Sequence, residues 1–212
     1  MNLLLDTPPE SVIIDGREYP VNWGYRAFIL IEICMFDVSI NEEQRLLNAL
    51  NIFYNRRIPD NMVEAVNHLY WFYMCGERKK KEDKNKSRRL SQVQRCYDFE
   101  QDAPFIYAAF LTQYKLDLSM TLNYDLHWWK FRAMFESLDE NLKISKIMYY
   151  RTAKTTGMSK QQRNVINTMK SLYALESPET SADSKMKLAK RNLEMKEYVR
   201  NRMKEVKNAQ ES

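Results

Sequence analysis

The sequence predicts a mainly α-helical, multi-helix globular domain that opens with a small β-hairpin and is followed by a charged amphipathic helix. Three observations carry this. Only four glycines occur in 212 residues, which favours helices and leaves few of the backbone amide cradles on which enzymes hold phosphates. Apolar residues recur at three- and four-residue intervals in successive stretches, the spacing of one helix face. Asp15-Gly16, set between SVII and REYPV, is a hairpin signal, because both residues tolerate the positive φ angles of a type I′ turn. Hydrophobic residues at 44% and aromatics at 12% argue against wholesale disorder. The length allows one core-forming domain, here residues 1–175, plus an appendage.

The hairpin is expected over residues 12–21. Pro20 cannot donate to a ladder and belongs at an edge, and an isolated two-stranded hairpin is marginal in water, so this one must pack on helices. From Trp23 to Phe36, Tyr25, Phe28, Ile29, Ile31 and Met35 fall at helical spacing. The longest apolar run, Ala27 to Phe36, is broken by Glu32 and reaches about half of the roughly 20 residues a membrane-spanning helix needs. Ser39-Ile-Asn-Glu42 reads as a capping box opening a helix to about Tyr54. Pro59-Asp60 begins a third helix, with a stripe of Val63, Val66, Tyr70, Tyr73 and Met74 widened by Leu69 and Phe72, and Gly76 at its left-handed end. Residues 77–96 read as a solvated basic loop or a poorly ordered end of the third helix, since like charges this dense repel and bury nothing. Asp98 can cap the next helix, with Pro104 in its first turn and Phe105, Tyr107, Ala109, Phe110, Leu111 and Tyr114 distributed around it.

The stretch LHWWKFRAMFESL, residues 126–138, poses the sharpest question. At 100° per residue, Trp128, Phe131, Phe135 and Leu138 share one arc, while Leu126, Trp129 and Ala133 share another nearly opposite. Narrow strips remain for Lys130 and for Arg132 with Glu136, an i, i+4 ion pair. Exposed rings stacking on bases would contribute roughly 1–3 kcal/mol per base. Burial removes on the order of 150–250 Å² per ring from water without any ligand. A central core helix is therefore expected. Asp139 opens a further helix carrying Leu142, Ile144, Ile147 and Met148. Ser159-Lys-Gln-Gln162 is a second capping box, starting a helix through Val165, Ile166, Met169 and Tyr173. Residues 176–184 read as a linker and 185–208 as a basic amphipathic helix, with Leu188, Met195, Val199 and Val206 in one stripe.

The net charge of +5 conceals a segregation: residues 77–96 and 185–207 each carry nine Lys/Arg against three Asp/Glu, so removing both leaves −7 on the remainder. Nucleic acid is disfavoured, because the body is acidic and the basic loop has no interleaved aromatics. The chemistry of a catalyst is also missing. No GxSxG, HExxH or GxxxxGK[ST] motif occurs. His68 and Cys75 share a helical face but nothing nearby completes a metal set. Three cysteines without a CxxC pair fit reduced thiols. No enzyme, cofactor or metal is expected. The N-terminus MNLLLDTPPE has neither the charge nor the apolar core of a secretory signal.

The order of VIIDGREYPVNWGYRAFILIE, IPDNMVEAVNHLYWFYMCG, a basic gap, YDFEQDAPFIYAAFLTQYKLDL, LHWWKFRAMFESL and KIMYYR resembles the bacteriophage family called gene product fifteen, from long-tailed phages and prophages of Gram-positive bacteria. The likeness runs from about residue 3 to 175, and the segment after Glu176 departs from it. The resemblance implies a tail assembly chaperone that binds the tape measure protein in the host bacterial cytoplasm. It implies self-association and an upstream tail assembly chaperone as further partners, with no membrane role. A tail component retained in the virion and a nucleic-acid-binding accessory protein are the alternatives. The expected partner-binding residues are Leu188, Met195, Val199 and Val206 on the last helix, with Arg78, Lys79, Lys80, Lys81, Arg88 and Arg89 in the basic loop attracting acidic segments.

Overall fold

A computed structural model of the chain describes residues 2–77, 95–120 and 126–176. The chain divides into two units, Met1–Ala174 and Leu175–Ser212, and the elements below belong to the first. Strands β1 (Ser11–Ile14) and β2 (Arg17–Pro20) pair antiparallel, with Ile14 opposite Arg17 across a two-residue turn. Asp15 and Gly16 have φ of 49° and 75°, both positive as a type I′ turn demands. Val12 and Ile14 are buried, while Ile13 points to the other face. Asn61 Nδ2 donates to the Asp15 carboxylate at 3.1 and 3.3 Å, so the turn is tied to the third helix, and the hairpin gains the support it lacks alone.

Seven helices follow among the described residues: α1 (Tyr25–Phe36), α2 (Glu42–Phe53), α3 (Met62–Tyr73), α4 (Ala103–Tyr114), α5 (Trp128–Glu136), α6 (Lys143–Thr152) and α7 (Lys160–Leu172). The fold is mainly α. One aromatic-rich core joins α1, α2, α3, α4 and α5 with the inner face of β1; Phe28, Phe53, Phe72, Phe110 and Phe131 are fully buried in it.

The structure corrects several local expectations. The cap of α2 is Asn41, whose Oδ1 accepts from Gln44 N–H at 2.8 Å. Ser39 is occupied instead, since its hydroxyl and its amide both donate to Asp37 Oδ1. Asparagine caps as well as serine, so the helix starts where the chain leaves that turn. Similarly α3 starts after Asn61, which accepts from Glu64 N–H, rather than at Pro59-Asp60. The side of α3 that meets the core holds Ala65, Leu69 and Phe72, whereas Val63 is 71% exposed and Tyr70 is exposed as well. α3 is apolar on two sides, and its period cannot say which side is covered. Asp102 occupies the N-cap position of α4. Asp98 caps the preceding turn, accepting from the amides of Glu100 and Gln101 at 2.6 and 2.8 Å. In α4 the buried set is Ile106, Ala109 and Phe110, and Leu111 faces solvent. Asp139 also acts one turn early, accepting from Asn141 N–H, and α6 begins only at Lys143. The box at Ser159 and Gln162 is present with both of its reciprocal bonds.

Candidate functional site

The two indoles of α5 lie in the aromatic core. Trp128 and Trp129 are 2% and 1% exposed, so they form no open stacking platform. Trp128 stacks on Phe28 at 5.1 Å between centroids, and Trp129 meets Trp71 edge-on at 5.5 Å. Both ring N–H groups are used. Trp128 Nε1 donates to the Tyr73 carbonyl at 3.1 Å, and Trp129 Nε1 to the Phe72 carbonyl at 2.7 Å. Arg132 Nη1 adds a bond to the Tyr73 carbonyl at 2.9 Å while its Nε pairs with Glu136 at 2.8 Å, the i, i+4 pair expected from the sequence. The last carbonyls of a helix have no partner within it. Here three side chains of α5 supply the donors, and the guanidinium lies where the α3 dipole is negative. Gly76 is required twice over: its φ is +78°, and a Cβ there would lie 2.9 Å from Trp129 Cη2.

Three further polar groups lie in the interior, none of them signalled by a motif. Glu32 of α1 is 4% exposed. Tyr73 and Tyr97 donate their hydroxyls to its Oε2 at 2.8 and 3.4 Å. Burial raises the carboxyl above its ordinary pKa; the two hydroxyls, Arg95 and Arg132 oppose that rise. The sequence showed this residue only as a break in an apolar run. Arg151 of α6 and Asp102 form a buried bidentate pair, with Nη2 to Oδ1 at 2.9 Å and Nη1 on Oδ2. The same guanidinium donates to the carbonyls of Cys96 and Tyr173. One side chain thereby joins the start of α4, α6, the end of α7 and the segment returning at Cys96. His127 is the third group, 3% exposed and bonded through both ring nitrogens.

His68 is half-buried, with Nε2 at 3.9 Å from Glu64 on the same helix. Burial pushes the Cys75 thiol up to about 11, which leaves little thiolate at neutral pH. Cys34, Cys75 and Cys96 are half-buried and unbridged. Among the described residues, no group of three or more His, Cys, Asp or Glu could hold a metal ion, and no helix is long and apolar enough to cross a membrane. The expected partner-binding residues Leu188, Met195, Val199 and Val206, and Arg78, Lys79, Lys80, Lys81, Arg88 and Arg89, all lie outside the described residues. Apolar side chains exposed on the described surface include Leu4, Leu5, Ile13 and Val63.

Fold and interior together define an aromatic-cored helical protein in which Glu32, Asp102, Arg151 and His127 are each buried with hydrogen-bond partners. The sequence profile described as Bacteriophage Gp15 protein matches residues 4–175, and the chain belongs to that family. It is a bacteriophage protein. Comparison with curated proteins and with solved structures gave no match.

Proposed function

We propose that this phage protein is a tail assembly chaperone that binds the tape measure protein and keeps it soluble until tail tube subunits enclose it, acting in the host cytoplasm through surface contacts and without catalysis. The observation that carries the reading is the match to the phage family over residues 4–175, read with the burial of Trp128 and Trp129, which leaves the aromatic stretch without a free ligand surface. A tape measure is a long, largely helical chain with apolar faces. Covering it calls for many weak, reversible contacts rather than one tight pocket. The stripe Leu188, Met195, Val199 and Val206 contributes to those contacts or to contacts with another copy. Arg78, Lys79, Lys80, Lys81, Arg88 and Arg89 attract acidic stretches of the partner. An upstream tail assembly chaperone shares the task.

Co-expression tests this directly. The tape measure protein is expected to move from the pellet to the soluble fraction when this chain is present, and to remain in the pellet without it. Equal solubility in both cases would refute the chaperone role. Mass spectrometry of purified particles separates the reading from a retained tail component: a chaperone is absent from the finished virion.

A further inference from the structure

His127 sits where the N-terminal segment meets α5. Its Nδ1 accepts from Trp129 N–H at 3.0 Å, which makes it the N-cap of α5. With Nδ1 an acceptor, the ring proton is on Nε2, which donates to the Pro9 carbonyl at 3.0 Å. The ring stacks on Trp23 at 5.6 Å and 9°, and meets Phe72 at 5.3 Å and Trp129 edge-on at 5.6 Å. The backbone is stitched on either side: Tyr25 N–H donates to the Leu126 carbonyl at 3.0 Å, and Trp128 N–H to the Trp23 carbonyl at 2.9 Å.

Neutral imidazole satisfies this arrangement and imidazolium does not. A second proton on Nδ1 would set N–H against N–H, remove the cap acceptor, and place a positive charge at the positive end of the α5 dipole. The groups facing the ring offer little compensation. The N-terminal segment contributes the Pro9 carbonyl and the Glu10 carboxylate, the approach to α1 contributes Trp23, α3 contributes Phe72, and α5 contributes Trp129 and the like-charged Lys130.

We propose that His127 is an acid-sensitive latch, whose second protonation opens the seam between residues 9–25, including the hairpin, and the start of α5. The rest of α5 does not depend on it, because the two indoles and Arg132 hold the helix to α3 carbonyls that the imidazole does not touch. Burial lowers the His127 pKa below its ordinary 6.5. The folded form therefore binds this proton less readily than the unfolded chain. The latch is closed above pH 6.5 and weakens as pH falls through the folded value. Glu32, whose carboxyl is raised by burial, answers acid in the opposite sense and does not add to the opening.

Hydrogen exchange of the full chain between pH 7.5 and 5, corrected for intrinsic rates, reads the latch. Peptides covering residues 9–25 and 126–130 are expected to lose protection as pH falls below 6.5, by up to about tenfold per pH unit until the folded pKa is reached, while peptides of α2 and α4 hold theirs. His127→Asn keeps a capping oxygen and an N–H donor but cannot take the proton, and its protection should not vary with pH. The chain has two histidines, so His68→Gln leaves one ring whose NMR titration is unambiguous. That ring should be the Nε2–H tautomer at neutral pH and titrate below 6.5. Constant protection of the seam down to pH 5, an equal loss in His127→Asn, or a ring titrating at or above 6.5 in the folded protein would each overturn the proposal.

Discussion

Asp102→Ala is expected to destabilise the described domain by about 3–5 kcal/mol, the range for breaking a buried ion pair from one side. Arg151 and Asp102 are 4% and 1% exposed, so neither charge has water to fall back on. Without the carboxylate, the guanidinium keeps the Cys96 and Tyr173 carbonyls but no countercharge. The bond from Asp98 N–H to Asp102 Oδ2 at 2.9 Å is lost as well, loosening the entry to α4. A loss of this size is a large share of the total stability of a domain. Adding Arg151→Met should recover part of it, because an apolar chain of similar length leaves no buried charge unpaired. Denaturant unfolding of both single variants and the double variant, with a constant slope, checks this through the coupling energy. A single-variant loss below about 1 kcal/mol, within the range of an exposed pair, would contradict the buried geometry.

Gly76→Ala should be the next most damaging change for its size. Any L-residue at a φ of +78° carries a left-handed penalty of about 1–2 kcal/mol. Here the added methyl also meets the Trp129 ring at 2.9 Å, and overpacking a closed core costs roughly 1–3 kcal/mol more. Gly157 provides the control: its φ is +82°, and no atom lies within 4 Å of the place a methyl would take. Gly157→Ala should therefore show the backbone penalty alone. Equal losses in the two variants would mean that Trp129 does not press on the α3 terminus.

The contrast between these sites explains what could be read from the chain. Local chemistry was legible at several sites where a residue acts within four positions of itself. The Asp15-Gly16 turn, the box at Ser159 and Gln162, the Arg132–Glu136 pair and the left-handed Gly76 all depend on neighbours in sequence. Where two residues competed for one role, the choice was set by surrounding bonds: Asn41 caps α2 because Ser39 is held by Asp37. In α5 Ala133, expected beside Trp129, is exposed, but the burial of Trp128, Phe131 and Phe135 on one arc and of Trp129 on the other followed from ring-rich spacing. The covered side of α3 did not, because both sides are apolar. Contacts across long separations left no local trace. Arg151 meets Asp102 across 49 positions, and Tyr97 meets Glu32 across 65. His127 caps α5 through Trp129 two positions away, but the tautomer that leaves Nδ1 free to accept is set by the Pro9 carbonyl 118 positions away.

The ring-rich stretch is interior scaffolding, with Trp128 and Trp129 2% and 1% exposed. The most direct measurement uses a Trp23→Phe/Trp71→Phe variant, which leaves only Trp128 and Trp129 of the four tryptophans. Its emission is predicted to be blue-shifted, weakly quenched by acrylamide, and unchanged when single-stranded DNA is added at low salt. Red-shifted emission, open to acrylamide and altered by the DNA, would contradict the burial of both indoles.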